Sequence, residues 1–151
     1  MISVEAIKKL RSETGISVAQ CKQALTSAGG DFEQALVALK EQGAIIAAKK
    51  SDRALGAGVV SSYLHTTGAL GALVELDCET DFVAKTADFR ALANDLAMHI
   101  SAFEPVDNMA LLAQPFIKDP SSTVADVIKQ AIQKFGEKIE MIRFVRFAVG
   151  N

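Results

Sequence analysis

Apolar residues recur at helical spacing in three short stretches within residues 1–43. The three apolar stripes are Val4-Ile7-Leu10, Val18-Cys21-Leu25-Ala28 and Phe32-Ala35-Leu36-Leu39. Ser3, Ser17 and Asp31 precede the stripes, where their side-chain oxygens can accept hydrogen bonds from the free N–H groups of a first helical turn. Glycines at positions 15, 29–30 and 43 are expected to end the helices. The pattern therefore predicts a small bundle of three helices.

Alternating apolar and polar positions replace the helical spacing after residue 58. Residues 59–64 and Leu70–Cys78 are predicted to form two strands joined by the turn Thr66-Thr67-Gly68. In the second strand Val74, Leu76 and Cys78 alternate with acidic residues, which indicates one face packed on a core.

One long helix is predicted to follow, from Thr80 to Phe103. Thr80 is in the N-cap position, and Asp81 would meet the positive end of the helix dipole. The apolar stripe of this helix is Phe89, Leu92, Ala93, Leu96, Ile100 and Phe103. Phe82 lies seven residues before Phe89, so periodicity alone favours a buried Phe82.

In the last third of the sequence, residues 106–120 are predicted to form a connection with a short helical turn at 109–113. A helix is predicted to follow, capped by Ser122 or Thr123 and ended by Gly136. Residues 139–149 are predicted to be a closing strand. Its odd positions, expected on one face, are Ile139, Met141, Arg143, Val145, Phe147 and Val149. Ile142 and Phe144 would lie on the other face. Apolar residues on both faces indicate a second contact partner.

These elements predict an α+β fold in two domains. Residues 1–55 would be a bundle resembling the ubiquitin-associated fold, with residues 44–55 as an alanine-rich helical connector that leads to Gly56 and Gly58. Residues 56–151 would be an α+β domain with a three-stranded antiparallel sheet packed against helices. The bundle alone would suggest a peptide-binding adaptor, although fold is weak evidence of function.

Composition excludes several function classes. No apolar run approaches the ~18 residues of a membrane span, and the first residues lack the features of a signal peptide, so a cytoplasmic protein without a membrane partner is expected. Residues 1–55 carry a net charge of +2 and the remaining residues carry −4. This distribution does not favour nucleic acid as the main binding partner. Cys21 and Cys78 lie on apolar stripes and are expected to be reduced and buried.

Candidate chemistry is weak. Gly56-Ala57-Gly58 is followed by a strand rather than a helix, which argues against dinucleotide binding. Asp77, Glu79 and Asp81 alternate as the first ligands of a calcium loop do, but Phe82 stands where that loop requires glycine. Nothing would orient His65 or His99 as a catalytic base. We therefore expect no cofactor, no metal site and no enzymatic activity.

The segment Thr80-Asp81-Phe82-Val83-Ala84-Lys85, preceded by Leu73-Val74-Glu75-Leu76, resembles the elongation factor Ts family. Other matching positions are Leu10-Arg11, Thr14-Gly15, Cys21-Lys22, Ala24-Leu25, Gly30-Asp31, Gly43 and residues 114–120. The resemblance implies a guanine-nucleotide exchange factor that promotes GDP release from elongation factor Tu and GTP rebinding.

The resemblance also implies the site residues and the state of assembly. Contacts that dislocate Mg²⁺ from elongation factor Tu would come from Thr80, Asp81, Phe82 and Val83. The contacts of the N-terminal domain would come from Leu10, Val18 and Ala19. A long insertion typical of the family after Pro105 is nearly absent, which indicates a shortened member. A homodimer sheet, as in short members of the family, or elongation factor Tu itself would cover the second apolar face of the closing strand. An adaptor or dimerisation protein without exchange activity is the alternative.

Overall fold

The computed structural model describes residues 1–150. Its elements are α1 (Val4–Thr14), α2 (Val18–Ser27), α3 (Phe32–Lys49), β1 (Ala57–Leu64), β2 (Leu70–Cys78), α4 (Asp81–Ala84), α5 (Ala87–Phe103), α6 (Asn108–Ala113), β3 (Pro115–Phe116), β4 (Asp119–Thr123), α7 (Val124–Phe135) and β5 (Glu140–Ala148). The chain divides into two compact units. The first holds Met1–Asp52 and Lys129–Gly136, and the second holds Arg53–Ile128 and the residues from Glu137 onward.

The first unit contains the three predicted helices of the bundle. Ser3, Ser17 and Asp31 are their N-caps, and each side chain accepts a hydrogen bond from the backbone N–H three residues later, which confirms the predicted starts. Gly15 adopts the left-handed conformation, with φ of 70°, that ends α1. The core of the bundle consists of Leu10, Ile16, Cys21, Ala24, Leu25, Ala35 and Leu39.

The predicted end of the third helix at Gly43 is wrong, because α3 continues to Lys49. Gly43 is buried, and a Cβ added there would lie 2.8 Å from Oε1 of Gln133. The glycine therefore makes room for Gln133 rather than ending the helix. A mid-helix glycine costs ~1 kcal/mol, and the alanine-rich sequence that follows favours helix strongly enough to continue it.

The second unit is built on the predicted hairpin. β1 and β2 pair antiparallel, with Val59 opposite Leu76, and β5 pairs antiparallel with the other edge of β2. The inner face of β2 is buried as predicted, since Val74, Leu76 and Cys78 are at most 1% exposed. Helix α5 packs against β1 and β2. The predicted α+β class with a three-stranded antiparallel sheet is confirmed.

The single helix predicted from Thr80 to Phe103 is wrong, because two helices occupy this segment. α4 lasts one turn, and Thr86 then acts as a second N-cap: its hydroxyl accepts from the N–H of Phe89 at 3.2 Å and donates to the carbonyl of Val83 at 2.8 Å. A threonine that satisfies backbone groups on both sides ends one helix and starts the next.

The predicted facing of the closing strand is also wrong in part. Glu75 pairs with Arg143 and Leu76 pairs with Met141, so Ile142 is the extra residue of a β-bulge. The amide of Asn108 donates to the carbonyls of Met141 and Ile142, at 3.2 and 3.0 Å. The bulge reverses the alternation of inward-facing and outward-facing side chains along β5. The buried residues Ile139 and Met141 therefore lie on the inner face, whereas Val145 and Phe147 lie on the outer face.

Residues 106–123 are more ordered than a simple connection. α6 contains the predicted helical turn and starts at Asn108, and the two-stranded sheet of β3 and β4 follows it. Thr123 is the cap of α7, because its hydroxyl accepts from the N–H of Asp126 while that carboxylate accepts from the N–H of Thr123. Within residues 1–150, no helix is both long enough and apolar enough to cross a membrane.

Candidate functional site: the corner after strand β2

The corner consists of residues 79–86, where the chain leaves β2 and passes through α4 into α5. Cys78 is buried at the end of the strand, and the chain then rises to the surface at Thr80, Asp81 and Phe82. The side chain of Phe82 is 90% exposed, whereas Val83 and Ala84 are 8% and 4% exposed. The two buried residues anchor the turn of helix and leave the phenylalanine pointing into solvent.

Thr80 is the central residue of the corner. Its hydroxyl accepts from the N–H of Val83 at 3.4 Å and donates to the Glu137 carboxylate at 2.6 Å. Its carbonyl accepts from the N–H of Ala84 at 3.2 Å and from the thiol of Cys78 at 3.3 Å. Burial, and next the nearby charge of Glu137, raises the pKa of Cys78, which keeps this thiol protonated and able to donate.

Two glutamates join the corner to the loop between α7 and β5. The carboxylate of Glu137 accepts the backbone N–H groups of Glu79 and Thr80, at 3.1 and 3.0 Å. The carboxylate of Glu79 in turn accepts the backbone N–H of Lys138 at 3.0 Å and lies 3.4 Å from the guanidinium of Arg53. Glu137 and Lys138 lie 57 to 59 positions from their partners in the corner, so no local sequence pattern could indicate this arrangement, and sequence reasoning missed Glu137.

The far end of the corner is held by hydrogen bonds to two backbone carbonyls. The N–H of Lys85 donates to the carbonyl of Asp81 at 3.0 Å, and the side chain of Arg90 reaches the carbonyl of Ala84 at 3.4 Å. Both ends of the one-turn helix are therefore fixed. A large apolar side chain on a fixed, exposed support suits insertion between elements of a partner protein, because little conformational entropy remains to be lost.

The candidate residues of the N-terminal segment lie in the first unit and differ in exposure. Leu10 is fully buried in the bundle core. Val18 is 48% exposed, and Ala19 beside it in the first turn of α2 is also exposed. Only Val18 and Ala19 of this set present their side chains to solvent.

The outer face of the three-stranded sheet is apolar and exposed. Its exposed apolar residues are Val60, Leu64, Leu73, Val145 and Phe147. At one end of this face Arg143 pairs with Glu75 at 2.9 Å. Asp77 lies on the same face, and burial, followed by the hydrogen bond and charge of Glu75, raises the pKa of Asp77 to about 6.

The remaining candidate chemistry has a structural explanation. His99 is fully buried, stacks between Phe103 and Phe116, and accepts the N–H of Ile117 on Nδ1 at 3.1 Å. Nδ1 therefore carries no proton, and Nε2 donates to Gln114 at 2.9 Å. Burial lowers the pKa of His99 and favours this neutral form. Among the described residues, no group of three or more His, Cys, Asp or Glu is arranged to hold a metal ion.

Comparisons with known proteins agree on one family. The family model described as "Elongation factor TS" matches residues 3–108. The chain is 40% identical to elongation factor Ts of Desulforamulus reducens, over 99% of this chain and 90% of the relative. It is 38% identical to elongation factor Ts of Heliobacterium modesticaldum and 36% identical to that of Thermosipho melanesiensis, over the whole chain and 91% and 100% of those relatives.

These comparisons also show that the chain lacks part of its relatives' sequence. The alignments run over 195 or 196 positions, whereas the chain has 151 residues, so at least 44 positions of each relative have no counterpart here. The family-model match ends at residue 108, close to Pro105, after which the family resemblance implies that an insertion is missing.

Proposed function

Because this chain belongs to the elongation factor Ts family, and is thus a guanine-nucleotide exchange factor for elongation factor Tu in translation elongation, we propose that residues 80–83 are the part of it that loosens the bound nucleotide. The observation that carries this proposal is the exposure of Phe82, 90%, on a corner that is fixed at both ends. Thr80 and Val83 support the contact, and Asp81 and Phe82 make it.

The protein acts by linkage rather than by covalent chemistry, and in that sense it is not an enzyme. An exchange factor binds the nucleotide-free GTPase more tightly than the nucleotide-bound form. By reciprocity, the nucleotide binds more weakly to the complex than to the free GTPase. GDP then leaves, and GTP can take its place. The chain itself needs no cofactor for this role.

The metal of the partner is the natural point of attack. Mg²⁺ requires nearly ideal octahedral geometry, so a small displacement of the groups around it weakens its hold on the phosphates. Phe82 would enter beside the switch helices of elongation factor Tu, and the carboxylate of Asp81 would disturb the metal. Burying one phenylalanine contributes ~1.5–3 kcal/mol, which corresponds to about one to two decades of coupling.

The bundle supplies a second contact that strengthens binding. Val18 and Ala19 are exposed at the start of α2 and would meet the GTPase domain of elongation factor Tu. Leu10 is buried in the core of the same unit, with Ile16 and Cys21, and would act on this contact only by holding the bundle together. This contact sets affinity, whereas the corner sets the rate of nucleotide release.

The outer sheet face suits a second copy of this chain. Its apolar side chains are exposed on all three strands, and contiguous exposed apolar surface of this kind is typical of a protein–protein contact. Antiparallel sheets that pack face to face bury such apolar surfaces.

The net charge of −4 after residue 55 makes direct contact with nucleic acid unfavourable. We place the dimer in the cytoplasm, where translation takes place.

The deciding experiment follows fluorescent GDP as it leaves elongation factor Tu in a stopped-flow instrument, with and without this protein. Release should accelerate and saturate as the protein concentration rises. If the folded protein bound elongation factor Tu without accelerating GDP release, it would be an adaptor. The proposed exchange role of the corner would then be wrong.

A further inference from the structure

We infer that Glu137 is a positioning residue for nucleotide exchange: its carboxylate fixes the direction in which the corner presents Asp81 and Phe82 to the partner. The inference rests on the proposed role of residues 80–83. Glu137 itself lies outside the corner, in the loop between α7 and β5, and acts on it only through hydrogen bonds.

One carboxylate satisfies three donors from two consecutive residues. Its Oε1 accepts the N–H groups of Glu79 and Thr80, and its Oε2 accepts the hydroxyl of Thr80 at 2.6 Å. Hydrogen bonds to an ionised acceptor are short and about twice as strong as neutral ones. The three bonds therefore hold the backbone at the point where β2 ends and the exposed turn begins.

The bond to the hydroxyl also determines where α4 starts. A threonine hydroxyl can donate one hydrogen bond, and Thr80 donates it to the Glu137 carboxylate. The lone pairs then point toward the first helical turn, where one accepts the N–H of Val83. Without the carboxylate the hydroxyl is free to rotate, and the N-cap of the helix that carries Phe82 is weakened.

Glu79 makes the attachment mutual. Its carboxylate accepts the N–H of Lys138, the residue that follows Glu137, so each of the two segments accepts a backbone donor from the other. The guanidinium of Arg53 lies 3.4 Å from the Glu79 carboxylate and partly offsets its negative charge. The corner is thus attached to a segment 57 to 59 positions away, through the side chain of Glu137 and the backbone N–H of Lys138.

Loss of this attachment should lower nucleotide release more than binding. A corner that samples several directions must be ordered when Phe82 inserts, and part of the insertion energy is then spent on ordering. Insertion is the step proposed to displace the nucleotide, whereas the bundle contributes a separate contact. The maximal release rate should therefore fall while the half-saturating concentration changes little.

The test compares Glu137→Ala, Glu137→Gln and the unchanged full-length chain. Alanine removes all three acceptor contacts. Glutamine keeps one oxygen for the two N–H groups, but its amide nitrogen cannot accept the hydroxyl proton. Amide hydrogen exchange of Glu79 and Thr80 reports the attachment directly, and the maximal rate of fluorescent GDP release from elongation factor Tu reports its consequence. We expect about a tenfold fall in maximal rate for alanine and an intermediate value for glutamine.

The matched control is Glu140→Ala, which removes the same charge three residues later. The Glu140 side chain is 53% exposed and lies 3.8 Å from the Lys138 ammonium. This variant should keep the amide protection of Glu79 and Thr80 and the maximal release rate of the unchanged chain.

Two outcomes would overturn the inference. Unprotected amides at Glu79 and Thr80 with an unchanged maximal rate would show that the attachment does not affect exchange. A fall in rate that only follows the unfolded fraction, measured by thermal unfolding, would make Glu137 an ordinary stabilising residue. Failure of the proposed function is distinguishable, because Phe82→Ala would then exchange normally while the amide result for Glu137 still stood.

Discussion

Phe82 and Phe89 lie seven residues apart on one predicted helical stripe, yet Phe82 is 90% exposed and Phe89 is fully buried. The difference arises at Thr86, which ends the turn of helix carrying Phe82 and starts the helix carrying Phe89. A restart of the helix between them removes the shared face that periodicity predicts. One phenylalanine belongs to the core and the other is available to a partner.

The first prediction is that Phe82→Ala reduces exchange without reducing stability. The side chain has little contact to lose within the chain, so the melting temperature should stay within about 1–2 °C. Fluorescent GDP release should slow by about one to two decades, from the loss of ~1.5–3 kcal/mol of burial on the partner.

Phe89→Ala is the matched control for that prediction. Phe89 is fully buried, so the same truncation should lower the free energy of unfolding by ~3–5 kcal/mol. Exchange per folded molecule should remain near normal in this variant. If Phe82→Ala also lowered the melting temperature strongly and exchanged normally per folded molecule, the role of Phe82 as a wedge would be refuted.

Local features of this fold could be predicted from the sequence, and features that depend on distant partners could not. The caps at Ser3, Ser17 and Asp31 follow from residues within one turn, and the hairpin of β1 and β2 follows from alternation and a short turn. In contrast, α3 passes Gly43 because the glycine makes room for Gln133, ninety positions later in the chain.

The same limit applies to the site. The segment around Phe82 could be singled out from its residues and its family resemblance, but its exposure depends on the break at Thr86, and its support comes from Glu137. The bulge at Ile142 likewise depends on pairing with β2 and reverses the facing of the closing strand. Periodicity carries no information on such contacts.

Asp81→Asn should separate charge from shape at the corner. Asparagine keeps the size of the side chain and removes its negative charge, and Asp81 is exposed, so stability should change by less than ~0.5 kcal/mol. If the carboxylate acts on the Mg²⁺ of elongation factor Tu, maximal GDP release should fall about tenfold, or ~1.4 kcal/mol, and the defect should shrink when Mg²⁺ is withheld. An equal defect with and without Mg²⁺ would exclude the metal step.

Val18→Asp should weaken binding while leaving the maximal release rate intact. A charge at an apolar contact removes about 1.5 kcal/mol of burial, so the half-saturating concentration should rise about tenfold. Val37→Asp is the control, because Val37 is similarly exposed, 54% against 48%, on another helix of the same unit. Equal effects of the two substitutions on the half-saturating concentration would show that Val18 does not contact elongation factor Tu. Point substitutions are preferable to deletion here, because Lys129–Gly136 belong to the same compact unit as Met1–Asp52.

Phe147→Asp should dissociate the proposed dimer. Phe147 is 75% exposed on the outer sheet face, and a charge there would be costly to bury against a second copy. Light scattering at micromolar concentration should give about twice the mass of one chain for the unchanged protein and the mass of one chain for the variant. Val106→Asp, which places a charge at an 89% exposed valine outside the sheet, should remain dimeric. A monomeric unchanged protein at every concentration would refute the dimer.

Asp77 should make stability depend on pH between about 4 and 6. It lies opposite Gly58, whose missing side chain leaves space for the carboxyl group. Burial first, then the hydrogen bond and charge of Glu75 and the charge of Glu140, raise the pKa of Asp77 to about 6 from 3.8, against an opposing effect of Arg143. Between these two pKa values the folded state binds more protons than the unfolded state. The contribution of Asp77 to stability is therefore fully present below this window and is lost as pH rises through it.

Asp77→Asn tests this dependence, because an amide does not titrate. Relative to the unchanged chain, the variant should gain melting temperature at pH 7.5, where Asp77 is charged beside Glu75 and Glu140, and should gain least at pH 4. Asp77 is only partly buried, so solvent screening should limit the gain to about 1–3 °C. Melting curves at pH 4, 5, 6 and 7.5 measure the difference. Because all other carboxylates are common to both proteins, parallel curves across this range would show that Asp77 ionises alike in the folded and unfolded chain, and the raised pKa would be wrong.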